Sequence, residues 1–215
     1  MTSRDYPGFD ARRRMNPMSH LTHLGSVATG EAFVDGLFDL FRTVGQDHYD
    51  EAVSQVDHAL QTAALAERDR CPDALVAACL LHDVGHLVSG PDDADAAYRD
   101  RDLRHERVGA ALLARWFDRE VTEPVRLHVS AKRYLITVDP GYRAGLSPSS
   151  IRSLELQGGS LSDPDRATLE AEPHLEAGLR LRRFDDGGKV VGMEVRPLDE
   201  YRPLVLGLVR AVPSR

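Results

Sequence analysis

The segment from Pro72 to His86 constrains this chain more than any other. The run Ala74-Leu75-Val76-Ala77-Ala78-Cys79-Leu80-Leu81 is apolar throughout, and Pro72 stands at a favoured first helical position. A helix that is apolar all round must be central and buried. It leads into His82-Asp83-Val84-Gly85-His86, where Gly85 permits a stop or a sharp turn. A histidine and an aspartate at the end of a buried helix are costly unless both find partners. A divalent metal satisfies both, and a carboxylate can bridge two ions where a neutral imidazole cannot.

The flanking sequence is also helical in period. Glu31 to Val44 carries Phe33, Val34, Leu37, Phe38 and Phe41 on one face. Asp50 or Glu51 opens a helix with the stripe Val53, Val56, Leu60 and Ala63. Leu103 to Phe117 forms the next, and Thr122 caps another with Pro124 in its first turn. Ser147-Pro148 and Ser162-Asp163-Pro164 repeat that capping pattern. Pro173 to Phe184 closes at Gly187-Gly188, an irregular or extended piece covers Val190 to Val195, and a last helix lies around Asp199 to Val212. Strand-like alternation is scarce, so the fold class is all-α. Residues 1–28, broken by Pro7, Gly8, Pro17 and Gly25, read as a weakly structured N-terminal arm, and 29–215 as a single helical domain.

Bulk properties narrow the partners. The 215 residues carry a formal net charge of -7, which gives no general attraction for nucleic acid or an anionic membrane surface. An anion bound here needs a local basic pocket. No apolar stretch approaches the roughly 20 residues of a membrane span. The triplet Arg12-Arg13-Arg14 is followed by no apolar region and is not a signal peptide. Cys71 and Cys79 are not spaced as a zinc pair and read as reduced thiols in a cytoplasmic protein.

Four more candidates surround His82-Asp83. His58 lies on a preceding amphipathic helix, His105 and His128 on two following ones, and Asp185 near the end of a later one. A bundle can converge such residues on one point. Nitrogen and oxygen donors without thiolate suit iron, manganese or zinc. Any single histidine here has a plainer explanation as a surface or capped residue, and His-Asp pairs occur by chance. It is the combination that points to metal. His20 and His23 sit three apart in the arm and read as solvated, His174 as exposed at a helix start, while His48 is open.

These residues, with the strings Gln55-Val56-Asp57-His58-Ala59-Leu60-Gln61, Leu80-Leu81-His82-Asp83-Val84-Gly85-His86, His105-Glu106-Arg107-Val108-Gly109-Ala110, His128-Val129-Ser130-Ala131-Lys132-Arg133-Tyr134-Leu135 and Leu154-Glu155-Leu156-Gln157-Gly158-Gly159, resemble the HD-domain superfamily. More narrowly, the stretch of about 47–205 is similar to the mixed-valent diiron HD-domain oxygenases that cleave the carbon–phosphorus bond of hydroxylated organophosphonates. The resemblance implies an HD-type helical bundle with two iron ions, Fe(II)/Fe(III). His58, His82 and Asp185 would hold one iron, His105 and His128 the other, and Asp83 would bridge them. It implies that Lys132, Arg182, His86 and Ser150 hold the phosphonate, with His86 also relaying a proton. Glu51 would contact the substrate's nitrogen. Three residues before that glutamate the best-known pattern has a tyrosine. This chain has His48 there and Tyr49 one residue on.

Chemistry supports the carry-over. Lys132 shares a helix face with His128, and Arg182 with Asp185. An arginine fork and a lysine point charge suit a tetrahedral oxyanion. The implied partners are a small organophosphonate, 1-hydroxy-2-(amino or trimethylammonio)ethylphosphonate-like, and O2, yielding an amino acid or betaine plus phosphate. A rival is an HD-domain phosphohydrolase acting on a nucleotide or other phosphate ester with the same six ligands. A second is a non-catalytic metal-binding module.

Overall fold

A computed structural model describes residues 17–46, 52–89 and 104–211 of the chain. Its regular elements are helical, with no strand among the described residues. Helix α1 spans Pro17–Ser26, α2 Gly30–Thr43, α3 Gln55–Arg68, α4 Asp73–Leu81 and α5 Val84–Ser89. Helix α6 spans His105–Leu113, α7 Arg119–Val138, α8 Pro148–Leu156 and α9 Asp163–Glu170. Helix α10 covers Leu175–Gly187 and α11 Arg202–Gly207, the latter led in by a 3-10 turn at Leu198–Tyr201.

The apolar helix is the hub. In α4, Leu75 to Leu81 are all buried, and α3, α7 and α10 pack around it. Helix α2 adds the face of Phe33, Val34, Leu37, Phe38 and Phe41, each at most 1% exposed. Phe33 stacks on Trp116, with ring centroids 6.0 Å apart. Leu80 is fully buried at the centre. Leu80→Ala should lower stability by about 2–5 kcal/mol, the cost of an unfilled cavity in a packed core. A denaturant titration would register it as a lower midpoint at unchanged slope.

Side-chain capping sets four of the helix starts. Thr29 caps α2, Ser54 α3, Ser147 α8 and Ser162 α9, each hydroxyl accepting a backbone N–H of the first turn. Helix α3 therefore opens at Ser54 rather than at Asp50 or Glu51. Helix α7 begins at Arg119, a turn before the Thr122 cap expected from sequence. Pro124 thus lies inside it, and the Thr122 hydroxyl donates back to the Asp118 carbonyl. Burial of Val121, Val125 and Leu127 outweighs the amide hydrogen that the proline lacks. The stretch expected to be a weakly structured arm includes α1, which runs through Gly25. The driving contact is Leu24, 2% exposed, against α2.

Gly85 proves not to be the stop. The chain breaks at His82-Asp83 itself, and Gly85 lies within α5. A Cβ there would fall inside the contact distance of the His105 carbonyl oxygen and stand 3.1 Å from the Gly109 nitrogen. The glycine lets α6 lie directly on α5, which carries His105 to Asp83.

Candidate metal centre

Each residue of the centre reaches it from a different part of the bundle. His58 comes from the first turn of α3, His82 and Asp83 from the joint between α4 and α5, and His105 from the start of α6. His128 lies mid-way along α7 and Asp185 in the last turn of α10. All are buried except Asp83, whose side chain is 18% exposed.

The two oxygens of Asp83 face two different histidine pairs. Oδ2 lies 3.3 Å from His82 Nε2 and 3.8 Å from His58 Nε2. Oδ1 lies 3.3 Å from His105 Nε2 and 3.7 Å from His128 Nε2. On the first side, Asp185 Oδ1 closes to 3.3 Å from His58 Nε2. Within each pair the nitrogens nearly touch, at 3.2 Å for His58 and His82 and 3.0 Å for His105 and His128.

Those short contacts carry chemical information. His58 Nδ1 donates to the Gly188 carbonyl at 2.9 Å, His82 Nδ1 to that of Cys79 at 2.9 Å, and His128 Nδ1 to that of Val125 at 2.7 Å. A carbonyl only accepts, so in each neutral ring Nε2 is left with a bare lone pair. Lone pairs facing one another at that range repel unless a cation lies between them. Two donors about 2.1 Å from one ion stand ~3.0 Å apart at a right angle, so the spacing suits a shared ion. The backbone carbonyls behind them supply the outer support that metal-bound histidines need. This is the donor set of a metal-binding centre.

The electrostatics agree. Burial opposes ionisation of Asp83, but His82 and His105 override it and hold the carboxyl well below the usual carboxylate range. Asp185 is likewise held low against burial, by Arg182 and His58. Burial disfavours a charged His82, yet the adjacent Asp83 raises it to about 8. A bound metal would replace that proton. His86, 9% exposed, is pushed down to about 3 by burial and by His105. Its ring stacks on that of His105 with centroids 3.8 Å apart. Among the described residues, His58, His82 and Asp83 form one close donor set, and Asp83, His86 and His105 another.

A cavity opens over the centre. Lys132, 3% exposed, lines it and donates to Ser153 Oγ at 2.8 Å. Burial, with Arg182 nearby, pulls the Lys132 ammonium down to about 7. Ser150 is buried in the same wall. Arg182 also lines the cavity, and all three of its guanidinium nitrogens donate: Nη1 to Asp185 Oδ2 at 2.6 Å, Nη2 to Asp186, and Nε to the Tyr142 oxygen at 3.2 Å. Its main contact with the centre is therefore through Asp185, whose carboxylate it orients. Arg182→Met should lower metal affinity by about 10- to 100-fold, as loss of a ligand's supporting partner does. A competition titration against a chelator reads this out.

The residues singled out from sequence are thus brought together, apart from Glu51, His48 and Tyr49, which lie outside the described residues. Gln61, Tyr142 and Lys189 had been given no role. Gln61 pairs twice with the backbone of Val190, Nε2 donating to its carbonyl and Oε1 accepting its N–H, both at 2.9 Å. Tyr142 backs Arg182. Lys189 lines the cavity. Two further carbonyl oxygens in the wall, Gln55 Oε1 and Gln157 Oε1, are buried with no hydrogen-bond donor among the described residues. Cys71 and Cys79 are both buried and unbridged. Among the described residues no helix is long and apolar enough to cross a membrane.

Comparison with known proteins points the same way. The chain is 46% identical over 168 residues to the hydroxymethylphosphonate dioxygenase of Gimesia maris, covering 78% of this chain and 84% of that protein. It is 36% identical over 182 residues to the [1-hydroxy-2-(trimethylamino)ethyl]phosphonate dioxygenase (glycine-betaine-forming) of Leisingera caerulea, covering 82% and 89%. An uncharacterized protein of Acanthamoeba polyphaga mimivirus is 32% identical over 163 residues. The HD domain family model matches residues 56–166, from the helix of His58 through the His-Asp joint to α9. With that joint at its centre and histidines from three other helices gathered around it, the chain belongs to the HD-domain family.

Proposed function

We propose that the protein is a diiron oxygenase that uses O2 to cleave the carbon–phosphorus bond of a small 1-hydroxyphosphonate, releasing phosphate and a carboxylate. The observation that carries this is the division of Asp83 between two histidine pairs beneath a cavity rich in cations. His58, His82 and Asp185 would hold one ion and His105 and His128 the other, with Asp83 reaching both. The kinship to two phosphonate dioxygenases selects the oxygenase over the phosphohydrolase. Bound iron, ferrous at one site and ferric at the other, would supply the redox chemistry that passes electrons from the substrate to O2, which zinc cannot.

The chain's own residues supply charge and position. The cavity is lined by two carboxylates, Asp83 and Asp185, against three cations, Lys132, Arg182 and Lys189. The wall thus gathers basic groups in a chain of net charge -7. An anionic substrate group would favour the charged form of Lys132, whose proton burial weakens. Ser150 offers a hydroxyl to the same oxyanion, and His86, neutral at the cavity wall, is placed to take or return a proton. The overall change balances: the substrate and O2 carry the same atoms as the products, carbon and phosphorus each gaining one oxygen. We place the enzyme in the cytoplasm.

The test is an anaerobically iron-loaded sample given hydroxymethylphosphonate or [1-hydroxy-2-(trimethylamino)ethyl]phosphonate, with O2 uptake and phosphate release followed together. Equal uptake and release is the expected outcome. Hydrolysis of a phosphate ester in manganese without oxygen would establish the phosphohydrolase instead.

A further inference from the structure

Arg182 stands between two carboxylates on its own face of α10, Asp185 three residues on and Asp186 four. Nη1 donates to Asp185 Oδ2 at 2.6 Å and Nη2 to Asp186 Oδ1. The third nitrogen, Nε, donates at 3.2 Å to the Tyr142 oxygen, and the Tyr142 hydroxyl donates in turn to Asp186 Oδ2. Arg182, Tyr142 and Asp186 therefore close a ring of three hydrogen bonds, and Asp185 joins it by a fourth. The tyrosine arrives from another part of the chain, the 3-10 turn Tyr142–Gly145 beyond the end of α7. That turn is fastened by the Tyr142 N–H on the Asp139 carbonyl at 3.1 Å. Burial raises the Tyr142 hydroxyl above its ordinary value, and Asp186 adds to the rise against the opposing Arg182. The phenol keeps one proton for Asp186 and a lone pair for Arg182.

The ring decides how Asp185 is presented. A planar guanidinium held at both Nε and Nη2 cannot turn, so Nη1 is aimed in one direction. It takes Asp185 Oδ2 and leaves Oδ1 facing His58 Nε2 at 3.3 Å. A carboxylate free to rotate would offer either oxygen, since Oδ2 itself stands 3.9 Å from His82 Nε2. Asp186 also shares the charge of the guanidinium. Alone with Arg182, Asp185 would carry the whole of that attraction and be a weaker donor to a metal. Neither Tyr142 nor Asp186 lines the cavity, so their effect passes through Arg182 and not through contact with substrate.

We propose that Tyr142 and Asp186 are positioning residues of the metal centre, holding Arg182 so that Asp185 presents Oδ1 to the ion it would share with His58 and His82. The proposal rests on the two-metal reading given above but not on the oxygenase reaction. The experiment titrates full-length protein with ferrous iron, without oxygen, against a competing chelator that resolves two binding steps. Tyr142→Phe keeps the ring and removes two hydrogen bonds; Asp186→Asn keeps the shape and removes the charge. Each is expected to weaken one step about 10- to 100-fold, as loss of a ligand's outer support does, and to leave the other at the wild-type value. The double variant should be little weaker than the worse single one, because both changes act through the same arginine. Asp186→Glu, which restores the charge, should recover part of the affinity. Wild-type affinity in both steps overturns the proposal. An equal fall in both steps does so too, because it marks a loosened bundle. A wild type that binds one ion only, with that step weakened in the variants, removes the two-iron reading and leaves the positioning role standing.

Discussion

Asp83→Asn protein, loaded with iron under the conditions that fill the wild type, is expected to emerge folded but short of metal and without oxygenase activity. Among the described residues, Asp83 is the side chain whose two oxygens reach both histidine pairs, at 3.3 Å to His82 and 3.3 Å to His105. An asparagine keeps the shape but presents one neutral oxygen and an NH2 group that no metal accepts. The loss should exceed the ~10- to 100-fold that follows removal of a ligand's supporting hydrogen bond. Metal analysis and the electron paramagnetic resonance signal of the coupled pair read it directly. A variant that retains full metal and the coupled signal would show that Asp83 bridges nothing.

The second large effect is expected from adding one methyl group. In Gly85→Ala the new Cβ overlaps the His105 carbonyl oxygen, and that atom is backbone, unable to rotate away. Overpacking of this kind costs roughly 1–3 kcal/mol. For a chain of this size that is about 2–12 °C in melting temperature. The added bulk pushes α6 off α5 and takes His105 from Asp83, so metal occupancy should fall with stability. Gly25→Ala is the control. Nothing lies within 4 Å of a Cβ there, and its helix should gain slightly.

Much of this architecture was legible in the chain itself, for reasons that differ by element. Ser147-Pro148 and Ser162-Asp163-Pro164 carry their own stop and start chemistry, and α8 and α9 begin where those side chains dictate. The apolar run of α4 could only be central. The six residues gathered at the centre stood out as a combination: a His-Asp pair closing an apolar helix, single histidines on neighbouring helices and a late aspartate. What local chemistry could not show is contact between distant segments. Pro124 looked like a first-turn residue because nothing nearby reveals that Val121 and Val125 are buried against other helices. Gly85 looked like a helix stop because its reason for being glycine is His105 on another helix. Lys189 directly follows Gly187-Gly188, the pair expected to close α10. Its orientation follows from Gln61 on α3, far away in sequence.

The wide spacing of the donors has a consequence for how the protein survives in a cell. His58 belongs to α3 and Asp185 to α10, and the unfolded chain has no means of bringing them to one ion. Metal held between them would act as a reversible cross-link between early and late parts of the sequence, and free metal at a hundredfold excess over its dissociation constant would add about 2.7 kcal/mol to the folded state. Starved of that ion, the same polypeptide would open more often and fall to proteases sooner, so its abundance would track metal supply with no change in synthesis.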